Sequence, residues 1–391
     1  MDRASEAARG PGSPLLSSGD MARRSSGREY TPPTMEIRTL YARERSTLAD
    51  MLDPWRLAEG WSAGDRFRAQ VEFDPTWSDA NVLVAVEQDR LLSAVSILPR
   101  HLKILGHSIP SGGLGNLFTD PALRGRGVAT ELLERACDVM RGRGLELAIL
   151  FPGAPPATPE FFDKRGWHVW GGQQTILRRD PGGRGGDEKA ASGEIELEPV
   201  RAEDTRVLQS VKSIHAAYAA SRSGTVARDD DLWRSCLQLA PAPREEFWIA
   251  RRGGLAVAYA RAAIVDDVLT IIELGRFEDG ADALAKLVAS LLEPREGDPL
   301  IPATAEGVGS EQLRSFLVLP TFDDIGLTVA LEHRGIRSHP IDDARASLRC
   351  VNLIGFASRL DVDLLPDEDG RAFLRRILPP DAMVFWPADR F

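Results

Sequence analysis

Between Gly115 and Phe151 the spacing of apolar residues changes twice. Gly115-Asn116-Leu117-Phe118-Thr119 reads as a short strand that ends at Asp120-Pro121. From Gly127 onward Val128, Ala129, Leu132, Leu133, Ala136, Val139 and Met140 recur on one helical face. Gly142-Arg143-Gly144 stops that helix, and residues 145–151 are apolar enough for a buried strand. Ahead of the unit, residues 81–86 and 91–98 form a hairpin pattern around Glu87-Gln88-Asp89-Arg90. A second turn at Gly106-His107 lies between residues 102–104 and Ile109. Hairpins followed by strand, turn, helix and strand define a mixed α/β layer and exclude a helical bundle or a pure β-sandwich.

The turn at the strand–helix junction, Arg124-Gly125-Arg126-Gly127-Val128-Ala129, carries the sharpest chemistry. Two glycines and the small Ala129 let successive backbone N–H groups converge. The helix that follows presents its free N–H groups and positive dipole end to the same spot, making a cradle for an anion. Arg124 and Arg126 add full charges suited to a diphosphate. A solvated arginine-glycine turn is the plainer reading; the strand, Asp-Pro and amphipathic helix around it favour the cradle. The chain has 58 acidic and 48 basic side chains and a formal charge of −10. That balance disfavours nucleic acid and anionic membranes as partners, so a phosphate site has to be local. Cys137, Cys236 and Cys350 are far apart and signal neither a disulfide framework nor zinc, and no histidines have metal-binding spacing, so no metal is expected. A reducing, cytoplasmic setting is the expectation.

No apolar run is long enough for a transmembrane helix. Residues 1–34, rich in Ser, Gly, Pro and Arg, read as a disordered extension, or as an over-extended start before Met35. The glycine-rich stretch 180–193 reads as a linker. It divides a first domain, 35–179, from a second, 194–355, which opens with the same kind of alternating strand. The second domain continues with strands at 247–250, 254–263 and 268–274, then a helix with Ala283, Leu284, Leu287, Val288, Leu291 and Leu292 on one face. That order repeats the first and suggests a duplicated fold. Residues 356–391 form a tail with a helix near 369–378, and its Phe385, Trp386 and Phe391 are expected to dock on the body.

Residues 124–129 resemble the acyl-CoA pyrophosphate loop of the GNAT family of N-acetyltransferases, Arg/Gln-x-x-Gly-x-Gly/Ala at the start of a helix. Arg124, Gly127 and Ala129 fill that pattern. Phe161-Phe162-Asp163-Lys164-Arg165-Gly166-Trp167 is similar to the family's second signature, an aromatic pair followed by a charged turn and Gly-aromatic. Ala148-Ile149-Leu150-Phe151-Pro152-Gly153, the second GNAT-like half and the final Phe391 resemble the enhanced intracellular survival (Eis) group of tandem-GNAT acetyltransferases in particular.

The resemblance implies an α/β chain of tandem GNAT-like acyl-CoA N-acyltransferase folds, each a mixed, mostly antiparallel sheet with flanking helices. It implies acetyl-CoA as cosubstrate, held by Leu117, Phe118, Thr119, Arg124, Gly125, Arg126, Gly127, Val128 and Ala129. The acetyl group would pass by direct attack to a primary amine of a small molecule, aminoglycoside-like or a polyamine. A backbone N–H of the 117–119 strand is the natural oxyanion donor. The Phe391 carboxylate is the first candidate for the base, with Asn116 or a water relay second, although docking alone accounts for the tail. Trp55, Trp61 and Phe162 would line the acceptor site.

Phe162 stands where many members of the family carry the tyrosine that protonates the leaving thiolate. A non-catalytic acyl-CoA sensor and a mycothiol-synthase-like acetyltransferase therefore stay open beside the first reading, as does a homo-oligomer. In the second half Arg276 is followed by Glu278, Asp279 and Asp282 where the phosphate loop belongs, so one cofactor site per chain is expected.

Overall fold

The structure, a computed structural model, describes residues 35–57, 60–151, 159–180, 194–239, 245–265, 268–296, 300–301, 311–312, 314, 317–320, 324–379 and 383–389. The expected extension 1–34, residues 181–193 of the expected linker and Phe391 lie outside these. Residues 35–391 form one compact unit.

The first half runs β1 (Glu36–Thr39), α1 (Arg45–Leu52), α2 (Ala63–Phe73), β2 (Val82–Glu87), β3 (Arg90–Ile104), β4 (His107–Thr119), α3 (Val128–Gly142), β5 (Leu147–Leu150), α4 (Pro159–Asp163) and β6 (His168–Arg179). The second half repeats the order with β7 (Ile195–Pro199), α5 (Thr205–Ala219), α6 (Asp230–Gln238), β8 (Glu246–Arg252), β9 (Leu255–Val265), β10 (Val268–Arg276) and α7 (Ala281–Leu291). A small pair, β11 (Leu300–Ile301) and β12 (Glu311–Gln312), precedes β13 (Leu317–Pro320), α8 (Ile325–His333) and β14 (Ile336–Cys350). Helices α9 (Leu353–Leu360) and α10 (Gly370–Ile377) close the chain.

All strands except β11 and β12 join one sheet, in the order β1-β2-β3-β4-β5-β14-β6-β13-β10-β9-β8-β7. The two halves exchange their last strands. β4 and β5 pair in parallel, as do β10 and β13. β5 then receives β14 from the second half, and β13 receives β6 from the first, both antiparallel. The exchanged strands pair with each other at the centre, from Ile336↔Arg179 to Leu348↔His168. Each half thus completes the other's sheet.

Strand alternation distributes the helices. In β2 and β3, Val82, Val84, Val86 and Ala94 face α1 and α2, where they bury with Leu48, Leu52 and Phe67. Leu83, Ala85, Val95 and Ile97 point to the other face and pack against Leu132, Leu133 and Ala136 of α3. Side-chain caps fix most helix starts: Ser62 accepts from the Asp65 N–H, Asp229 from Leu232 and Asn352 from Gly355.

Two departures from the sequence pattern have physical causes. Residues 91–98 and 102–104 belong to the single strand β3, because the charge that broke the apolar pattern, Arg100, is itself buried in an ion pair with Asp74. β14 gives no apolar signal over Ile336–Cys350, since its ladder partners β5 and β6 come from the other half and determine its path.

Candidate active site

β4 is bulged at the segment that the family resemblance links to the cosubstrate. Ser96 pairs with Gly115 and Ala94 with Phe118, so Asn116 and Leu117 together oppose Val95. Asn116 adopts the left-handed region, with φ +52°. Asparagine tolerates that conformation better than most residues. Its side-chain amide donates to Gln70 Oε1 at 2.8 Å and to Ser96 Oγ at 3.0 Å, which ties the bulge to α2 and β3. Both amide N–H groups are thus engaged in bracing the bulge. The hydroxyl of Ser93 donates to the Phe118 carbonyl and lies 2.8 Å from Thr119 Oγ1, fixing the strand just beyond the bulge.

The pairing of β4 with β5 runs from Ser111↔Leu147 to Gly113↔Ile149. Leu150 continues on β14, opposite Ser347. β5 therefore stays with β14 while leaving β4, and the sheet opens beside the bulge. In a parallel register Phe151 falls level with Gly115.

Beyond β4 the chain enters the arginine-glycine turn. Gly125 has φ +80° and Gly127 φ +84°, conformations that L side chains rarely adopt. Gly127 is the N-cap of α3 and supplies no side chain to the helix N-terminus, so the first amides of α3 are left for a ligand. Arg124 and Arg126 are exposed on either side of Gly125. The Arg124 guanidinium lies 4.9 Å from the ring centroid of Trp55, and that ring meets Phe118 edge-on at 6.1 Å. Val128 is buried and Ala129 half-buried. A third cation approaches the same helix end: Arg165 donates to Thr130 Oγ1 at 2.7 Å and stacks over Phe161 at 3.7 Å. Nothing in the spacing of the sequence marks Arg165 for this role, nor Gln70 and Ser96 for theirs.

The aromatic candidates separate. Trp55 and Trp61 are half-buried, and the Trp61 indole N–H is buried without a hydrogen-bond partner. Phe162 is 1% exposed and packs edge-on against Phe161 and Trp167 in the core under α3. Phe391 lies outside the described residues. The described tail does reach the opening, because the Phe385 ring contacts Phe151 at 5.9 Å and Trp170 at 5.1 Å.

The corresponding turn of the second half is filled from within. Arg276 donates to the carbonyls of Phe277 and Glu278 and, at 2.6 Å, to Asp324, the N-cap of α8. Desolvation would raise the pKa of Asp324, but its bonds from Arg276, the Leu327 amide and Tyr218 hold it below the ordinary carboxylate range. Arg252 engages Asp282 and the Asp279 carbonyl across the start of α7. The sheet bulge recurs at Ile272 of β10, between the pairs Ile271↔Ala262 and Glu273↔Arg261. Here Glu273 is wholly buried and contacts Arg228 at 2.7 Å, Arg261 at 2.9 Å and His215 at 3.0 Å.

A bulged strand, a twice-left-handed glycine turn, an uncapped helix and a parallel strand that splays away give the first half the acyl-CoA N-acyltransferase architecture. Residues 39–170 match the family model described as an acetyltransferase (GNAT) domain. Two curated relatives from Streptomyces griseus, an uncharacterized N-acetyltransferase and an uncharacterized N-acetyltransferase ORF5, are each 25% identical over 42% of this chain. The matching segment is only 39% of their own length. Among solved structures, a probable N-acyltransferase from Enterococcus faecalis is similar at a TM-score of 0.60 and 16% identity, covering 83% of this chain and 75% of that one. Eis1 from Mycobacterium abscessus is similar at a TM-score of 0.53 and 18% identity, covering 83% and 76%. These structures share the fold. Among the described residues no helix is long and apolar enough to cross a membrane.

Proposed function

We propose that this chain is an acetyl-CoA-dependent N-acetyltransferase whose acceptor is a primary amine of a small molecule. The observation that carries the reading is the continuity of the Asn116–Leu117 bulge, the Gly125–Gly127 turn and the open start of α3. A diphosphate fits the turn, because the space that a Cβ would take at either glycine is open and α3 has no competing side-chain cap. Arg124, Arg126 and Arg165 supply charge, and the backbone of Leu117, Phe118 and Thr119 would run beside the pantetheine arm.

Acetyl-CoA supplies an activated acyl carbon, and the chain's task is to hold it against an amine. Proximity of this kind contributes about 7–11 kcal/mol in favourable cases. The bulge turns backbone N–H groups out of the ladder, where Leu117 can stabilise a developing oxyanion. Asn116 acts as its brace rather than as the base. The Phe391 carboxylate, the base that the family resemblance implies, is open to direct test. Deleting Phe391 is expected to lower kcat far more than acetyl-CoA affinity, and unchanged turnover in a folded variant excludes it.

The direct test incubates the protein with acetyl-CoA and a panel of primary amines, including polyamines and aminoglycosides, and follows free CoA by thiol detection. Amine-dependent release supports the reading; tight acetyl-CoA binding without release under any amine favours the sensor instead. Asn116→Ala removes both bonds that brace the bulge and is expected to lower kcat about tenfold, or about 1.4 kcal/mol, with acetyl-CoA affinity within twofold. Arg126→Glu is expected to weaken acetyl-CoA binding about tenfold at low salt and less at high salt, because the residue is exposed and its field is screened.

A further inference from the structure

The tail after α10 is held by a chain of buried charges. Asp389 Oδ1 accepts from Arg228 Nε at 2.9 Å and Nη2 at 2.7 Å, while Arg228 Nη1 lies 2.7 Å from Glu273. The side chains of Arg228 and Glu273 are wholly buried and that of Asp389 nearly so. The guanidinium also stacks over Trp233 at 4.6 Å. A buried ion pair is a weak source of stability, since desolvation offsets much of the attraction, and its better attested use is to fix one arrangement.

The arrangement fixed here joins the two halves. Arg228 ends a segment whose backbone pairs with the far part of β3: Lys103 N–H donates to the Thr225 carbonyl, Gly224 N–H to the Lys103 carbonyl and Ala227 N–H to the His101 carbonyl. On its other side the segment accepts the tail, where Val384 N–H donates to the Ser223 carbonyl. Gly224 has φ +93°, and a Cβ there would stand 2.5 Å from the Val384 carbonyl oxygen, so tail and segment fit only around a glycine.

Held this way, the tail reaches the first half at two places, one of them the opening. Phe385 abuts Phe151 and Trp170 where β5 leaves β4. Asp389 borders a narrow cavity of about 20 Å3 that Arg66 of α2, Arg100 of β3 and Ser235 of α6 also line. Arg66 lies one helical turn from Gln70, and Arg100 lies four strand residues from Ser96, so the cavity is about 13 Å along β3 from the braced bulge.

We propose that Arg228 is a positioning residue for the acceptor. By gripping Asp389 and Glu273 it holds residues 383–389 as a wall of the acceptor site, and the sheet bulge of the second half serves as an anchor for that wall. The inference rests on the acyl-transfer reading for its kinetic consequence, but not for its structural one.

The test compares wild type with Arg228→Lys, Asp389→Asn and Gly224→Ala in the full chain. Three quantities are followed: hydrogen exchange of residues 383–389, acetyl-CoA affinity by calorimetry, and acceptor kinetics with the best amine of the panel. In each variant that retains cooperative unfolding, tail exchange is expected to speed by at least tenfold and acceptor KM to rise by at least tenfold. Acetyl-CoA Kd stays within twofold. Asp389→Asn is nearly isosteric, which keeps the test alive should Arg228→Lys not fold. Unchanged tail exchange in Asp389→Asn and Gly224→Ala overturns the anchor. Faster tail exchange with unchanged acceptor KM overturns the wall. Should wild type turn over no amine, the acyl-transfer reading fails alone, and tail exchange still decides whether Arg228 is the anchor.

Discussion

Gly127→Val is expected to raise the acetyl-CoA Kd about 100-fold, equivalent to about 2.7 kcal/mol, while the protein remains folded. Gly127 sits at φ +84° as the N-cap of α3. A β-branched residue is a genuine outlier there, at a cost of about 1–2 kcal/mol, and the chain relieves it by rotating out of the left-handed region. The amides of the turn would then no longer converge, and the methyl groups of valine would stand where the proposed diphosphate binds. No atom lies within 4 Å of a Cβ at this position, so the loss comes from conformation and ligand access rather than from packing. Gly144 provides the control. It has φ +75°, is exposed, and also has no neighbour within 4 Å of a Cβ, but it follows the other end of α3. Gly144→Val should carry a similar backbone penalty in thermal denaturation and leave acetyl-CoA affinity unchanged in calorimetry. Equal losses of affinity in the two variants would remove the turn from the cofactor site.

The local part of this site was legible because its signals are local. Alternation, two glycines and a helical face specify β4, the turn and α3 with no knowledge of what lies across the sheet, and the same holds for β8 to β10 and α7. The braces were not legible. Gln70, Ser96 and Asn116 are separated by long stretches of chain and meet only because α2 packs on the face of β3 that carries Ser96. Polar residues in an otherwise apolar strand read as defects in a pattern until their partners are known. Arg100 illustrates this, since its charge broke a strand in the sequence and is neutralised by Asp74 in the fold. The exchange of β6 and β14 was invisible for a related reason: period-2 alternation specifies which residues share a face, not which strand lies alongside. The role expected of Phe162 depended on its facing the acceptor, whereas the helical turn of α4 directs it into the core beside Trp167.

Glu273→Gln is expected to destabilise the protein by about 3–5 kcal/mol near neutral pH, lowering Tm by about 4–7 °C, with little change in acetyl-CoA affinity. The substitution preserves shape and removes the charge shared by Arg228 and Arg261, leaving Arg228 with Asp389 and Arg261 with Glu245. His215 Nδ1 and the Tyr259 hydroxyl, 2.9 Å apart, face the same carboxylate. Burial alone would push the Glu273 pKa up, but Arg228, the bond to His215 and Arg261 outweigh it and hold the carboxyl well below the usual range. The pH dependence follows in sign. A carboxyl whose pKa is depressed on folding contributes its stabilisation fully above the unfolded value, about 4.3 for glutamate, and loses it as pH falls through the folded value. Below about pH 4 the unfolded chain takes up a proton at this position that the folded chain refuses, so wild type loses stability faster than Glu273→Gln. Denaturant unfolding of both proteins at about pH 7 and about pH 3.5 should therefore show the gap between them narrowing in acid. A gap of equal size at both values would mean that the charge on Glu273 contributes nothing, and that the buried arginines are held by Asp389, Glu245 and packing alone.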